Sequence, residues 1–193
     1  TNQWYAIAKI AGIKLCQALT KEYKFDAISL MPTNLYGPND NYHPTNSHVI
    51  ASLIRKFVNA KNNDLKTVTC WGTGKPMREF MHVDDLGEAV VFTLEKWDPR
   101  KSDSPKDKFG NNLTYLNIGT GKDLSIANLA NKISNIVGFK GEIIWDNTKP
   151  DGTFKKLLDV SRINNLGWEA KISFDSGLKR TISELNFSNL VAD

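Results

Sequence analysis

The chain has 193 residues, of which 40% are apolar and 24% are charged, a balance typical of a folded globular protein rather than a disordered one. Its net charge of +4 does not indicate a nucleic-acid partner, because basic and acidic residues are interleaved and no nucleic-acid-binding motif is present. The most apolar stretch, residues 89–94, is far shorter than the roughly 20 apolar residues that span a bilayer. The sequence therefore predicts a cytoplasmic protein without a membrane partner.

The first half of the chain predicts two helices with a strand and a turn between them. Because the sequence opens at Thr1 inside a helical pattern, we expect it to be a piece of a longer protein. Helical spacing and Gly-Pro punctuation predict a helix from about Gln3 to Tyr23, a strand over 25–31 ended by Pro32, a turn over 34–38, and a helix from His48 to about Asn59. Asn46 or Ser47 is expected to cap this second helix.

The second half continues the alternation of strands and helices, which favours an α/β architecture. Asp84 and Asp85 suit a helix N-cap, and residues 98–113 predict an exposed loop. The predicted elements are strands over 66–71, 78–83, 113–118 and 142–145, and helices over about 84–97, 125–137 and 174–186. No G-x-G-x-x-G motif follows a strand, so this sequence lacks a dinucleotide-binding first βαβ unit.

Tyr5 and Lys9, four residues apart, are the first candidate catalytic residues. This spacing places both side chains on one face of a helix, with Cβ atoms about 6 Å apart. An ammonium group favours the phenolate form of a neighbouring phenol, and such a phenol can protonate a carbonyl oxygen as hydride arrives from a nicotinamide. Asn34 supports this hypothesis, because it follows the next strand and ligands of open α/β sheets lie at the carboxyl ends of strands.

Several segments together resemble the extended short-chain dehydrogenase/reductase family. The general resemblance is carried by Tyr5-x-x-x-Lys9, by PTNLYGP at 32–38 and by REFMHVDD at 78–85. Four further segments are similar to members that act on GDP-sugars: DNYHPTNSHVI at 40–50, WGTG at 71–74, KPDGT at 149–153 and KLLDVSR at 156–162. The resemblance covers nearly the whole chain except the loop 98–113.

The resemblance implies the C-terminal part of an α/β enzyme, with the last Rossmann elements, a smaller α/β substrate domain, and the N-terminal βαβ units missing. Residues 1–40 would form the tail of the Rossmann domain. Residues 41–193 would be mainly substrate-binding, with about 82–120 returning to the Rossmann sheet. The implied reaction is C3 and C5 epimerisation of GDP-4-keto-6-deoxy-D-mannose, followed by C4 reduction with NADP(H) to give GDP-L-fucose. A GDP-sugar substrate and a homodimer through the first helix are also implied.

The resemblance also assigns roles to individual residues. Tyr5 would protonate the C4 oxygen, Lys9 would stabilise its phenolate form and bind the nicotinamide ribose, and His48 would be the acid–base histidine of the epimerisation. The cofactor would be bound by Lys9, Pro32, Thr33, Asn34, Leu35 and His48, and the substrate by Lys56, Trp71, Arg78 and Asp151. No metal is expected. The remaining catalytic cysteine and the serine or threonine of the family would lie upstream of Thr1.

Three of these assignments have a structural alternative at this point. His48 could be a structural histidine at a helix start, Trp71 a half-buried strand aromatic, and Arg78 the partner of Glu79 or Asp84 in a surface ion pair. Two other functions also stay open for the chain. One is a UDP-sugar 4-epimerase or sugar-nucleotide dehydratase of the same superfamily. The other is a non-catalytic remnant that binds NADPH only weakly.

Overall fold

The computed structural model describes residues 3–185, in which helices and strands alternate, and this confirms the predicted α/β class. The helices are α1 (Gln3–Tyr23), α2 (Val49–Asn62), α3 (Val83–Lys96), α4 (Ile126–Val137), α5 (Ser161–Asn165) and α6 (Phe174–Ser183). The strands are β1 (Ser29–Pro32), β2 (Asn34–Tyr36), β3 (Thr67–Trp71), β4 (Met77–His82), β5 (Tyr115–Ile118), β6 (Asp123–Ser125), β7 (Glu142–Asp146) and β8 (Lys155–Lys156). Among the described residues, no helix is both long and apolar enough to cross a bilayer.

The chain divides into two compact units, each built from separate segments. Within the described residues, the first unit contains 3–32, 86–118 and 159–169, and the second contains 33–85, 119–158 and 170–185. In the first unit, β1 and β5 pair in parallel, with Ser29 opposite Tyr115 and Pro32 opposite Ile118. Helix α5 packs against β5 in the same unit.

The second unit is organised around β4. This strand pairs in parallel with β2 and β8 and antiparallel with β6, while β3 and β7 form a separate parallel pair. The apolar faces of α2 and α4 supply the centre of the core, where Ile54, Phe57, Leu129 and Ile133 are fully buried. Helix α4 is capped at both ends: Ser125 accepts from the backbone N–H of Asn128, and Gly138 ends the helix at φ +80°.

The region after α1 differs from the prediction. The backbone N–H of Phe25 donates to the carbonyl of Leu19 over 3.3 Å, and Lys24 adopts φ +58°, so this segment ends the helix instead of starting a strand. Strand β1 consequently begins at Ser29 and includes Pro32. The predicted turn over 34–38 is also wrong in its first part, because residues 34–36 form β2 through pairing with β4.

The remaining differences concern short elements and helix ends. Helix α3 begins at Val83, so Asp84 and Asp85 lie in its first turn and not at the N-cap. The short elements β6, β8 and α5 were missed by the sequence pattern, because two to five residues are too few to show a periodicity. Helix α6 ends at Ser183, and the predicted end at residue 186 lies outside the described residues.

His82 is a buried histidine in the second unit. Its side chain is 1% exposed, its Nδ1 accepts from the backbone N–H of Asp84 over 3.2 Å, and its ring packs edge-on against Tyr36. Burial lowers the pKa of His82, although the carboxylate of Asp84 opposes the shift. The other charged groups that act on it are Asp85, Arg180 and Glu184.

We expect the free energy of unfolding to decrease as pH falls below 6.5, the ordinary pKa of histidine. Below that value the unfolded chain binds a proton at His82 that the folded chain resists, so stability present above it is lost. Urea unfolding at about pH 7.5 and about pH 5.5 measures this difference. His82→Gln should reduce the pH dependence, whereas His43→Gln in an exposed loop should preserve it; equal dependence in wild type and His82→Gln would contradict the prediction.

The carboxylate of Glu79 holds the segments on both sides of β4. Glu79 is 0% exposed, and its Oε1 accepts from the backbone N–H groups of Thr120 and Gly121 over 2.6 and 2.8 Å. Its Oε2 accepts from the N–H of Leu158 over 2.9 Å. Gly119 leaves room for this carboxylate, since a Cβ there would lie 2.2 Å from Oε1. A glycine is therefore required at position 119 by close approach to Glu79.

We expect Gly119→Ala to destabilise the chain by about 1–3 kcal/mol, because the added methyl group displaces a buried carboxylate from its hydrogen bonds. The midpoint and slope of urea denaturation give the change in the free energy of unfolding. Gly87→Ala is the matched control, because Gly87 lies in α3 with open space around its Cα. There alanine should stabilise the helix by about 0.5–1 kcal/mol, and an equal loss in both variants would refute the argument.

Candidate functional site

A cleft of about 210 Å³ lies in the second unit and is lined by residues from several of its segments. Four of them are residues that the sequence predicts as ligands: Asn34, Trp71, Arg78 and Asp151. The other lining residues are Val49, Gly74, Pro76, Ile126, Pro150 and Gly152. The fold thus collects an amide, an indole, a guanidinium and a carboxylate around one opening, with apolar side chains between them.

Trp71 presents a flat apolar surface at this cleft. Strand β3 alternates between buried and exposed positions, which directs Val68 and Cys70 into the core and leaves Trp71 69% exposed. The Nζ atoms of Lys56 and Lys149 lie 5.6 and 5.8 Å from the ring centroid. Exposed indole with two ammonium groups nearby suits a ligand that carries both an aromatic ring and negative charge. The alternative of a half-buried strand aromatic is wrong.

Arg78 is half-buried on β4, and its Nη1 donates to the carbonyl of Met77 over 2.7 Å. It forms no ion pair with any residue of the described range 3–185. Its two proposed ion-pair partners are engaged elsewhere, since Glu79 binds backbone N–H groups and Asp84 pairs with Arg180. The surface ion-pair alternative for Arg78 is therefore wrong, and most of its N–H donors stay available to an anion in the cleft.

Asp151 holds the turn that follows Trp71. Its carboxylate accepts from the backbone N–H of Thr73 over 2.9 Å and from the Thr73 hydroxyl over 2.6 Å. The hydrogen bond from the Thr73 side chain holds the pKa of Asp151 below its usual range. Gly72 adopts φ +76°, and a Cβ at this position would lie 2.3 Å from Asp151 Oδ1. Asp151 consequently joins the segment that carries Lys149 to the segment that carries Trp71.

The residues predicted to bind the cofactor, 32–35, run from the last residue of β1 into β2. Pro32 is exposed and ends β1 in the first unit. In the second unit, the Thr33 hydroxyl and the Asn34 amide both donate to the carbonyl of Glu79, over 3.2 and 2.8 Å, while Leu35 is half-buried in β2. The side chains of Thr33 and Asn34 thus share one hydrogen-bond acceptor, the carbonyl of Glu79 on β4.

His48 is exposed and occupies the N-cap position of α2. The expectation that Asn46 or Ser47 caps this helix is wrong, because the chain turns into the helix one residue later. The His48 side chain forms no capping hydrogen bond. Its imidazole therefore lies exposed at the N-terminus of α2.

Tyr5 and Lys9 lie on one face of α1 in the first unit. The Nζ of Lys9 is 5.4 Å from the centroid of the Tyr5 ring, and the Tyr5 side chain is 67% exposed. None of the described residues of α1 is buried. The four-residue spacing thus gives the adjacency expected from helix geometry, with the phenol open to solvent.

Two residues of the second unit were missed by the sequence reasoning. The Nζ of Lys149 lies 5.8 Å from the centroid of the Trp71 ring; the sequence signal for this residue is its place in the KPDGT segment, two residues before Asp151. The sequence indicates Glu79, in the REFMHVDD segment, only as an ion-pair partner of Arg78. Its burial and its backbone ligands depend on tertiary packing and leave no pattern in the sequence.

The chain is similar in sequence to a known protein family and to curated enzymes. The sequence model of the NAD dependent epimerase/dehydratase family matches residues 1–107. GDP-L-fucose synthase 1 of Arabidopsis thaliana is 51% identical over 181 residues, which are 94% of this chain and 52% of that protein. The chain thus spans about half the length of the curated relatives it matches.

Among solved structures, the chain is similar to enzymes that are named for GDP-sugars, at lower sequence identity. A GDP-6-OMe-4-keto-L-xylo-heptose reductase from C. jejuni is 36% identical, has a TM-score of 0.81, and is matched over 92% of this chain and 58% of its own. A GDP-D-glycero-L-gluco-heptose synthase from Campylobacter jejuni, crystallised in the presence of NADPH, is 35% identical with a TM-score of 0.75 and the same two coverages, 92% and 58%.

Proposed function

This chain belongs to the NAD dependent epimerase/dehydratase family, and from that premise we propose that it is the substrate-binding part of a GDP-L-fucose synthase. Together with an upstream nucleotide-binding half, it would epimerise C3 and C5 of GDP-4-keto-6-deoxy-D-mannose and reduce C4 to give GDP-L-fucose. The observation that carries the proposal is the cleft in which Trp71, Arg78 and Asp151 meet, with Lys56 at the indole. The 51% identity to GDP-L-fucose synthase 1 of Arabidopsis supports GDP-4-keto-6-deoxy-D-mannose as the substrate in preference to other GDP-sugars.

The composition of the cleft supports a nucleoside diphosphate as ligand. Trp71 offers a surface on which a base or sugar ring packs. Arg78 presents a planar fork that binds phosphate oxygens in pairs, and Lys56 adds a compact positive charge close to the indole. The Thr73–Asp151 bridge fixes the turn between these groups. An anionic ligand with an aromatic end satisfies the whole set.

The catalytic roles are assigned to Tyr5, Lys9 and His48. In the proposed reaction the Tyr5 hydroxyl donates a proton to the C4 oxygen, and the Lys9 ammonium stabilises the phenolate that remains. His48 exchanges protons at the ring carbons next to the ketone, and its exposed position at the N-terminus of α2 leaves the imidazole accessible. These roles divide the reduction and the epimerisation between different side chains.

The residues present fit the nicotinamide end of NADP(H). The Lys9 ammonium and the Tyr5 hydroxyl are exposed donors on one helix face, as the ribose hydroxyls and a carbonyl substrate require. Pro32, Thr33, Asn34 and Leu35 would line the nicotinamide. When bound, NADPH supplies the hydride that reduces the C4 ketone. The GDP-heptose synthase crystallised in the presence of NADPH supports this cofactor.

The proposal is tested by joining this chain to the upstream half of Arabidopsis GDP-L-fucose synthase 1. We expect the fused protein to convert GDP-4-keto-6-deoxy-D-mannose to GDP-L-fucose while NADPH is oxidised, as followed by absorbance and by chromatography of the sugar nucleotide. A folded fusion that binds NADPH but forms no GDP-L-fucose would reject the assignment. A fusion that reduces C4 without incorporating solvent deuterium at C3 and C5 would instead indicate a reductase, the activity named for the C. jejuni structure.

We propose a homodimer through α1, because the exposed side chains Trp4, Ile7, Ile10 and Leu15 give this helix an apolar surface. Such surfaces mark sites of association in soluble proteins. Ile7→Asp should lower the sedimentation coefficient of the fused protein to that of a monomer, whereas Phe109→Asp, which changes an exposed apolar side chain in the loop 98–113, should leave it unchanged. A dimer that survives Ile7→Asp would show that another surface holds the two copies.

A further inference from the structure

Glu79 stands at the centre of the polar groups of the second unit without touching the cleft. Its carboxylate binds the N–H groups of Thr120 and Gly121 ahead of β6 and of Leu158 after β8. Its carbonyl accepts from the side chains of Thr33 and Asn34. One fully buried residue therefore fixes both strands beside Arg78 and the segment that contributes Asn34.

We propose that Glu79 is a positioning residue for nucleotide binding and acts by fixing the guanidinium of Arg78. The inference rests on the proposed function, because it takes Arg78 to bind the diphosphate of GDP. Arg78 precedes Glu79 on β4 and lies opposite Leu124 of β6 and Lys156 of β8. Its Nη2 also lies 3.0 Å from where a Cβ of Gly152 would stand, so a small shift of the 150–152 segment changes its surroundings.

The geometry favours a carboxylate at position 79 over any neutral side chain. Both oxygens of Glu79 face backbone N–H groups, and within residues 3–185 it has no ion-pair partner. Glutamine has one oxygen and one NH₂ group, so either orientation points an N–H donor at another N–H donor. If the glutamine oxygen accepts from Thr120 and Gly121, the hydrogen bond from the backbone N–H of Leu158 is lost. The end of β8 that pairs with Arg78 is then no longer held by residue 79.

The test is a titration of the wild-type chain and of Glu79→Gln with GDP, at a temperature where circular dichroism shows both to be folded. We expect the Kd for GDP to rise about tenfold in Glu79→Gln, because a displaced binding group loses most of its contribution. Glu142→Gln is the matched control, because Glu142 is an exposed residue at the start of β7; its Kd should equal that of the wild type.

A double-mutant cycle separates positioning from general loosening of the fold. If Glu79 acts through Arg78, Glu79→Gln should not weaken GDP binding further in an Arg78→Ala background. A tenfold loss that persists in that background overturns the inference. Equal Kd values for wild type and Glu79→Gln also overturn it and leave the proposed function intact, whereas a wild-type chain that binds no GDP overturns both. If Glu79→Gln does not fold, Glu79→Asp, which retains the charge with a shorter reach, replaces it in the same cycle.

Discussion

Tyr5→Phe is expected to lower the rate of C4 reduction by about 10²- to 10⁴-fold in the fused enzyme, the contribution typical of a positioned general acid. The substitution removes the phenol oxygen and leaves the ring beside Lys9, so binding and folding should change little. The reduction is measured as NADPH oxidation with GDP-4-keto-6-deoxy-D-mannose as substrate. Exchange of the C3 and C5 protons with deuterium should continue, because that step is assigned to His48.

The control for this prediction lies on the same helix. Tyr23 is 73% exposed near the end of α1, so Tyr23→Phe removes an equivalent hydroxyl far along the helix from Lys9 and should leave the rate unchanged. Loss of both reduction and exchange in Tyr5→Phe would contradict the division of roles. An unchanged reduction rate would remove Tyr5 from the mechanism.

Arg78→Ala is expected to raise the Kd for GDP by about 10- to 100-fold, since hydrogen bonds to charged groups contribute about 1.5–3 kcal/mol each. Arg78 is half-buried at the cleft, and it forms no ion pair with a carboxylate of the described residues. Calorimetric titration with GDP gives the change directly. Arg78→Lys should recover only part of the affinity, because an ammonium cannot bind two phosphate oxygens with the geometry of a guanidinium.

An arginine outside the cleft serves as the control for Arg78. Arg100 lies in the loop of the first unit and pairs with Asp98 through its Nε over 2.8 Å, so Arg100→Ala removes the same charge from the first unit. Its Kd for GDP should match the wild type at physiological salt. An equal loss of affinity in both variants would show that net charge, and not the cleft, governs binding.

The sequence predicts the long elements well because their periodicities extend over several turns. The bounds of α1 are those expected from its helical spacing, and α4 begins directly after Ser125, its N-cap. The errors occur where local preference and tertiary pairing disagree. Residues 34–36 contain the beginning of a Gly-Pro turn signal, yet β4 provides a partner strand and they pair with it.

The candidate site follows the same rule. Chemically distinctive side chains such as Trp71, Arg78 and Asp151 can be selected from motifs, and the structure places all three at one cleft. Their supporting contacts could not be derived in the same way. The Thr73–Asp151 bridge joins residues 78 positions apart, and the Glu79–Leu158 bond joins residues 79 apart. Contacts between such distant residues depend on how the strands assemble, and a local sequence pattern does not indicate them.

The interleaving of the two units has a consequence for the order in which the protein matures. Residues 159–169 complete the first unit although they lie between segments of the second. Strand β1 cannot pair until β5 is synthesised, because Ser29 pairs with Tyr115, 86 residues later. Neither unit consists of one continuous segment that could fold as soon as it leaves the ribosome. The first unit should therefore reach its native state only after residues 159–169 are synthesised, and the second only after residues 170–185. Until then the nascent chain would expose unpaired strand edges to chaperones.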